Sequence, residues 1–323
     1  MPEGAHDLVP PAPLDPAKFK DPFVTAKGET RAWVDLVRLD TLWFNTGSLC
    51  NIACEHCYME SGPKKDDLAY LSADHVRTFL DEIAALDLPT TEIGFTGGEP
   101  FMNKDLPAML GDVLGRGHKA LVLTNAMKPL WQKRDALLAL QDTYGTAQLT
   151  LRVSIDHSTP ETHEQERGPG TWAPMERGVK WLIERGFPVT VAGRALWGES
   201  ESRARTGYQR LFDAWGLALN AQDPAHLVLF PEMDAGADVP EITTACWDIL
   251  GVRPDAQMCA TARMVVLRKN DAAPKVVPCT LLPYDTAFDL GESLARAQGD
   301  VRLNHPHCAK FCVLGGASCS AGG

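Results

Sequence analysis

Six short apolar runs, each followed by a longer stretch of helical character, constrain this chain more than any other feature. Residues 41–45, 92–95, 120–123, 149–155, 189–195 and 227–230 are buried-type runs enriched in Val, Ile, Leu, Phe or Trp. The stretches 72–86, 104–116, 129–142, 173–185 and 203–217 lie between them, and 241–250 follows the last. Strands that alternate with helices in this way form βαβ units and a parallel sheet buried on both faces. Ser72 supplies an N-cap with Asp74 in the first turn, and Gly186 follows Arg185 as a stop. The expected class is therefore α/β.

Around this array the chain changes character twice. Residues 1–40 read as an extended arm, with Pro10, Pro11, Pro13 and Pro16 in close succession. Residues 41–250 carry the βα rhythm. Residues 251–323 lose it: Met264–Leu267 and Lys275–Val277 read as a hairpin, and no long helix follows. A formal charge of -11 works against a large footprint on nucleic acid or anionic lipid, which favours a small or uncharged substrate. There is no signal-peptide pattern, no apolar run long enough to span a bilayer, no Walker-type phosphate loop and no G-x-G-x-x-G after a strand. The expected location is the cytoplasm. In that reducing compartment nine cysteines, an odd number, point to metal ligation or thiol chemistry rather than disulfides.

Cys50, Cys54 and Cys57 form C-x3-C-x2-C in the loop between the first strand and first helix. Loops at the C-terminal edge of a parallel sheet are where α/β proteins hold ligands. A closed zinc site or an ordinary 4Fe-4S cluster takes four protein ligands, so three thiolates leave one metal atom open. Taken alone, the triplet also fits a zinc knuckle completed by His56 or His75. After the second strand comes GFTGGEPFMN, with Gly97, Gly98 and Glu99. Its glycines let backbone come close to a ligand, and neighbouring polar groups can meet an ammonium.

The pair of motifs, in this order and one strand apart, resembles the radical S-adenosylmethionine (SAM) enzymes. Their signature is C-x3-C-x-aromatic-C, here with His56 at the aromatic position. The resemblance implies a partial (β/α)6 TIM-like barrel, a 4Fe-4S cluster on the three cysteines, SAM on the open iron, and a reductant such as flavodoxin or ferredoxin. It further implies SAM contacts from Thr124 and Asn125 at the end of the third strand, Ser154 and Asp156 at the fourth, and Arg194 at the fifth. Read as residues only, these five are equally strand-end polar groups that cap turns.

Cys259, Cys279, Cys308, Cys312 and Cys319 crowd the C-terminal region. They resemble the SPASM or Twitch extension of some radical SAM enzymes, which implies an auxiliary 4Fe-4S cluster on Cys259, Cys279, Cys308 and Cys312. Cys319 competes for the last position, and a Cys/His zinc site using His305 or His307 is the alternative. Cys246, on the sixth helical stretch, reads either as a small buried hydrophobe or as a hydrogen donor to a substrate radical. His157, Glu161, His163, Glu164 and Glu166 read as a solvated loop and helix start. The resulting expectation is hydrogen abstraction leading to dehydrogenation or epimerisation of a small molecule of aminoglycoside, sugar or cyclitol type. A peptide maturase ranks second, because the first forty residues cannot form the leader-binding winged-helix domain many of those carry. A non-catalytic iron-sulfur or zinc protein is the rival outside catalysis.

Overall fold

The apolar runs become the strands of one sheet. A computed structural model of the chain describes residues 12–195, 197–231 and 234–315; Cys319 lies outside them. Among the described residues the strands are β1 (Trp33–Val34), β2 (Thr41–Asn45), β3 (Glu92–Thr96), β4 (Lys119–Thr124), β5 (Leu149–Ser154), β6 (Val189–Arg194), β7 (Leu227–Phe230), β8 (Ala262–Val266), β9 (Lys275–Val277) and β10 (Val301–Arg302). The helices are α1 (Ala73–Ala85), α2 (Leu106–Gly115), α3 (Lys128–Gln132), α4 (Arg134–Tyr144), α5 (Pro160–Arg167), α6 (Trp172–Glu184), α7 (Glu201–Trp215) and α8 (Cys246–Leu250).

The sheet order is β7-β6-β5-β4-β3-β2-β8-β9, parallel from β7 through β8, with β9 antiparallel at the edge. Strands β2 to β7 lie in chain order, each beside the next, as consecutive βαβ units with short connections do. The sheet is the open, partial barrel the sequence implies. The expected hairpin forms as β8 and β9, yet β8 also pairs in parallel with β2, so the C-terminal region extends the barrel sheet itself. Strands β1 and β10 make a separate antiparallel ribbon that ties the arm to the C-terminal region.

Three helical expectations change. Lys133 leaves helical geometry, at φ -102 and ψ 5, and splits the stretch 129–142 into α3 and α4. The segment expected to be a solvated loop and helix start folds as α5, but with His163 and Glu166 buried rather than solvated. The helix expected over 241–250 begins only at Cys246, because the backbone before it pairs with the arm: Ala32 N donates to Ile242 O and Thr244 N to Thr30 O.

Side chains alternate across the sheet and build two cores. Leu42, Phe44, Ile93, Phe95, Val122 and Val153 face the helices, while Trp43, Leu121, Ala192, Phe230 and Met264 join the C-terminal residues on the other face. Trp43 lies opposite Gly94 in the β2–β3 register. A Cβ on Gly94 would stand 2.3 Å from Cε3 of the indole, so glycine is what lets Trp43 lie across its neighbour. Overpacking of this kind costs about 1–3 kcal/mol. Gly94→Ala is expected to lower the unfolding free energy by about that much in denaturant titration, and an unchanged midpoint would contradict the packing described.

Candidate active site and a second cysteine cavity

The parallel strands end at one edge, at Asn45, Thr96, Thr124, Ser154 and Arg194, and the loop after β2 crosses it. Its stem is seated on the glycine pair after β3. Gly98 N donates to Gly47 O at 2.8 Å and Glu99 N to Leu49 O at 3.1 Å. A Cβ on Gly98 would fall 2.3 Å from Leu49 O, and one on Gly97, whose φ is +137, 2.5 Å from Gly47 O. The glycines therefore admit the cysteine loop, a close approach of backbone to backbone beside the one expected toward a ligand.

Cys50, Cys54 and Cys57 line a single cavity together with Gly97, Gly98, Thr124, Asn125, Ser154 and Arg167. Burial pushes the Cys50 thiol up to about 12 and Cys54 to about 11, while the Arg167 guanidinium pulls both down. Buried thiols of this kind reach the thiolate form by exchanging a proton for a metal ion. Three thiols on one loop, with hydroxyl, amide and guanidinium groups lining the same cavity, suit a thiolate-bound cluster that carries a polar, charged ligand.

Glu99 is almost wholly buried, and burial raises its carboxyl to about 7 against the donors around it. It accepts from Asn125 N at 2.8 Å, Thr124 Oγ1 at 2.8 Å and Phe101 N at 3.1 Å. In this structure its carboxylate clamps the ends of β3 and β4 together, a different task from the ammonium contact expected of it. Asn125 in turn donates through Nδ2 to Asn51 Oδ1 at 2.9 Å, which ties the cysteine loop to β4.

The other strand-end groups are engaged through α5. Arg167 grips Asp156 with Nε at 2.8 Å and Nη2 at 3.0 Å, so the Asp156 carboxylate serves first to aim a cation into the cavity. Arg194 Nη1 donates to His56 O at 2.7 Å and Glu166 Oε1 at 2.9 Å. Glu166 also accepts from His56 N at 2.9 Å, and His56 Nδ1 lies 2.8 Å from its other oxygen. Its backbone oxygen accepts from Glu55 N. The position expected to be aromatic is thus held by a buried Glu166–Arg194 pair. Neither Glu166 nor Arg167 was foreseen; the only signal was adjacent acid and base after a strand at the ligand edge.

The four C-terminal cysteines also border one cavity, although among the described residues no three His, Cys, Asp or Glu side chains are arranged to hold a single metal ion. The β8–β9 hairpin returns Cys279 to the end where Cys259 sits in a 3-10 turn, and a π-helical turn, Cys308–Val313, brings Cys308 and Cys312. All four line one cavity with His307 and apolar Met258, Leu281, Leu282, Val301 and Leu303. Burial pushes Cys308 up to about 12 and Cys259 to about 11. Cys246 lines neither cavity. It sits at the start of α8, accepts from Thr243 N at 3.3 Å, and packs against the second apolar core.

Removing one partner of a buried ion pair costs about 3–5 kcal/mol. Glu166→Gln should lower the unfolding free energy by that amount and reduce the iron retained by Cys50, Cys54 and Cys57. A change within about 0.5 kcal/mol with full iron retention would show that the clamp does not hold the loop.

Residues 44–203 match the family model described as the Radical SAM superfamily. The antilisterial bacteriocin subtilosin biosynthesis protein AlbA of Bacillus subtilis is 33% identical over 144 residues, 44% of this chain and 30% of AlbA. The Fe-coproporphyrin III synthase of Methanosarcina barkeri is 33% identical over 150 residues, 45% of this chain and 34% of the synthase. The chain thus spans about a third of the length of these curated relatives. Among solved structures, Streptococcus suis SuiB bound to precursor peptide SuiA shares the fold with a TM-score of 0.56, 11% identity, and coverage of 87% of this chain and 67% of SuiB. Superfamily members use a 4Fe-4S cluster and SAM, and the thiol cavity described above lies within the matched segment. Over residues 44–203, this chain carries a radical SAM domain.

Proposed function

We propose that this chain is a radical SAM enzyme that modifies a peptide, with an auxiliary 4Fe-4S cluster in its C-terminal cavity. One observation carries the first part: Cys50, Cys54 and Cys57 surround a cavity whose facing wall presents Asn125, Ser154 and Arg167. The peptide is supported by the likeness of the domain to AlbA, a bacteriocin biosynthesis protein, and of the fold to SuiB, which binds a precursor peptide. This reading displaces the small-molecule dehydrogenation or epimerisation expected from the sequence.

In the proposed site Cys50, Cys54 and Cys57 would hold the cluster. Arg167, aimed by Asp156, would meet the SAM carboxylate, and Asn125 and Ser154 would hold its remaining polar groups. When bound, the cluster and SAM supply a 5'-deoxyadenosyl radical that abstracts a substrate hydrogen. The chain's own residues orient and exclude. Glu166 and Arg194 fix the loop, and the apolar inner face of the sheet, with Leu123 and Tyr58 at the cavity wall, keeps water from the reacting carbon. Cys259, Cys279, Cys308 and Cys312 would hold the auxiliary cluster as an electron relay, and a flavodoxin or ferredoxin in the cytoplasm would supply the electrons. Among the described residues no helix is long and apolar enough to cross a membrane.

Reconstituted anaerobically, the chain should bind about eight irons, two clusters of four, and release 5'-deoxyadenosine from SAM with dithionite. Cys50→Ala with Cys54→Ala and Cys57→Ala should leave about four irons and no 5'-deoxyadenosine. Deuterium should pass into 5'-deoxyadenosine from a deuterated precursor peptide. Its passage instead from a deuterated cyclitol or sugar would overturn the peptide assignment, and zinc in place of iron would overturn the radical reading.

A further inference from the structure

Against the backbone of Cys259 lies a cation whose hydrogen-bond partners carry no charge. Arg263, the second residue of β8, is fully buried. Its Nε donates to Ala297 O at 2.9 Å, Nη1 to Cys259 O at 2.6 Å and Ala262 O at 2.9 Å, and Nη2 to Gly299 O at 2.9 Å. All four acceptors are backbone carbonyls, and among the described residues Arg263 makes no ion pair. Other buried or half-buried arginines meet a carboxylate: Arg31 meets Glu241 at 2.5 Å, Arg167 meets Asp156 at 2.8 Å and Arg194 meets Glu166 at 2.9 Å.

A buried charge is tolerated when an opposite charge stands close to it, and otherwise costs several kcal/mol. Carbonyl dipoles orient the guanidinium without neutralising it. The missing anion has a natural source at Cys259, whose carbonyl the guanidinium touches: a 4Fe-4S cluster on four thiolates is a net anion, and becomes more negative on reduction. We propose that Arg263 is the counter-charge of the cluster held by Cys259, Cys279, Cys308 and Cys312, and that it raises the reduction potential of that cluster. The inference rests on the auxiliary-cluster reading and adds a tuning residue to it. Arg263 touches the Cys259 backbone and acts on the cluster through its field, which makes it a positioning and tuning residue.

The test is a redox titration of the full, reconstituted chain followed by electron paramagnetic resonance. The auxiliary signal is the one that SAM leaves unchanged. Arg263→Gln and Arg263→Met remove the charge, and Arg263→Lys keeps it. The expected result is a shift of the auxiliary midpoint to lower potential in the two uncharged variants, with the Lys variant staying near the parent. An unchanged midpoint in a fully loaded uncharged variant, or an equal shift in the Lys variant, overturns the proposal. Thermal unfolding with and without the cluster gives a second reading: loading should raise Tm more in the parent than in the uncharged variants, and equal increments would reduce Arg263 to a stitch between carbonyls. Uncharged variants that fail to fold even without iron, while the Lys variant folds, also count against it. A parent that binds only about four irons, unaltered by Cys279→Ser, would refute the auxiliary cluster and the proposal with it, whereas an unchanged midpoint in a loaded variant refutes the role of the charge alone.

Discussion

The contact on which the site depends is the backbone approach of Gly97 and Gly98 to the loop that leaves β2. Only hydrogen occupies the space where a Cβ on Gly98 would meet Leu49 O at 2.3 Å. That closeness puts Cys50 over the ends of β3 and β4 and lets Glu99 and Asn125 lock the loop from below. From above, Glu166 and Arg194 hold the stretch between Cys54 and Cys57. The three thiols are thereby presented to one cavity from a loop that is fastened at both ends.

Charge organises the rest. Each cysteine set lies buried or half-buried, where nearby cations favour thiolates, and each has an arginine beside it. At the first cavity Arg167 is aimed by Asp156 and faces the place a carboxylate-bearing ligand would occupy. At the second, Arg263 is anchored by carbonyls alone. A matched arginine can bind and release a charged ligand with little penalty, whereas an unmatched one suits an anion that stays.

Much of this was legible in the sequence. The six strands follow from apolar runs, since parallel strands covered on both faces need apolar side chains at nearly every position, as in Thr41–Asn45. Both cysteine groupings were visible from spacing and from the hairpin between Cys259 and Cys279. What escaped was polar and local. Pro160–Arg167 carries too few apolar residues to show how much of it is buried, yet Glu166 is buried against Arg194 and His56, and His163 against the Trp172 ring. The short α8 escaped for the opposite reason: helical propensity over 241–250 yields to pairing with an arm more than two hundred residues away in the chain. Asp156, Arg194 and Glu99 were chosen for the right edge of the sheet, but sequence could not show that their first partners are protein groups.

The central claim is that three thiols hold a cluster with one iron left for SAM. It is tested most directly by electron-nuclear double resonance on the reduced, reconstituted protein with SAM labelled by nitrogen-15 at the amino group and oxygen-17 at the carboxylate. Strong hyperfine coupling of both labels to the cluster is the result expected. Labels that couple no more strongly than bulk water, with SAM bound and the cluster intact, would contradict the account.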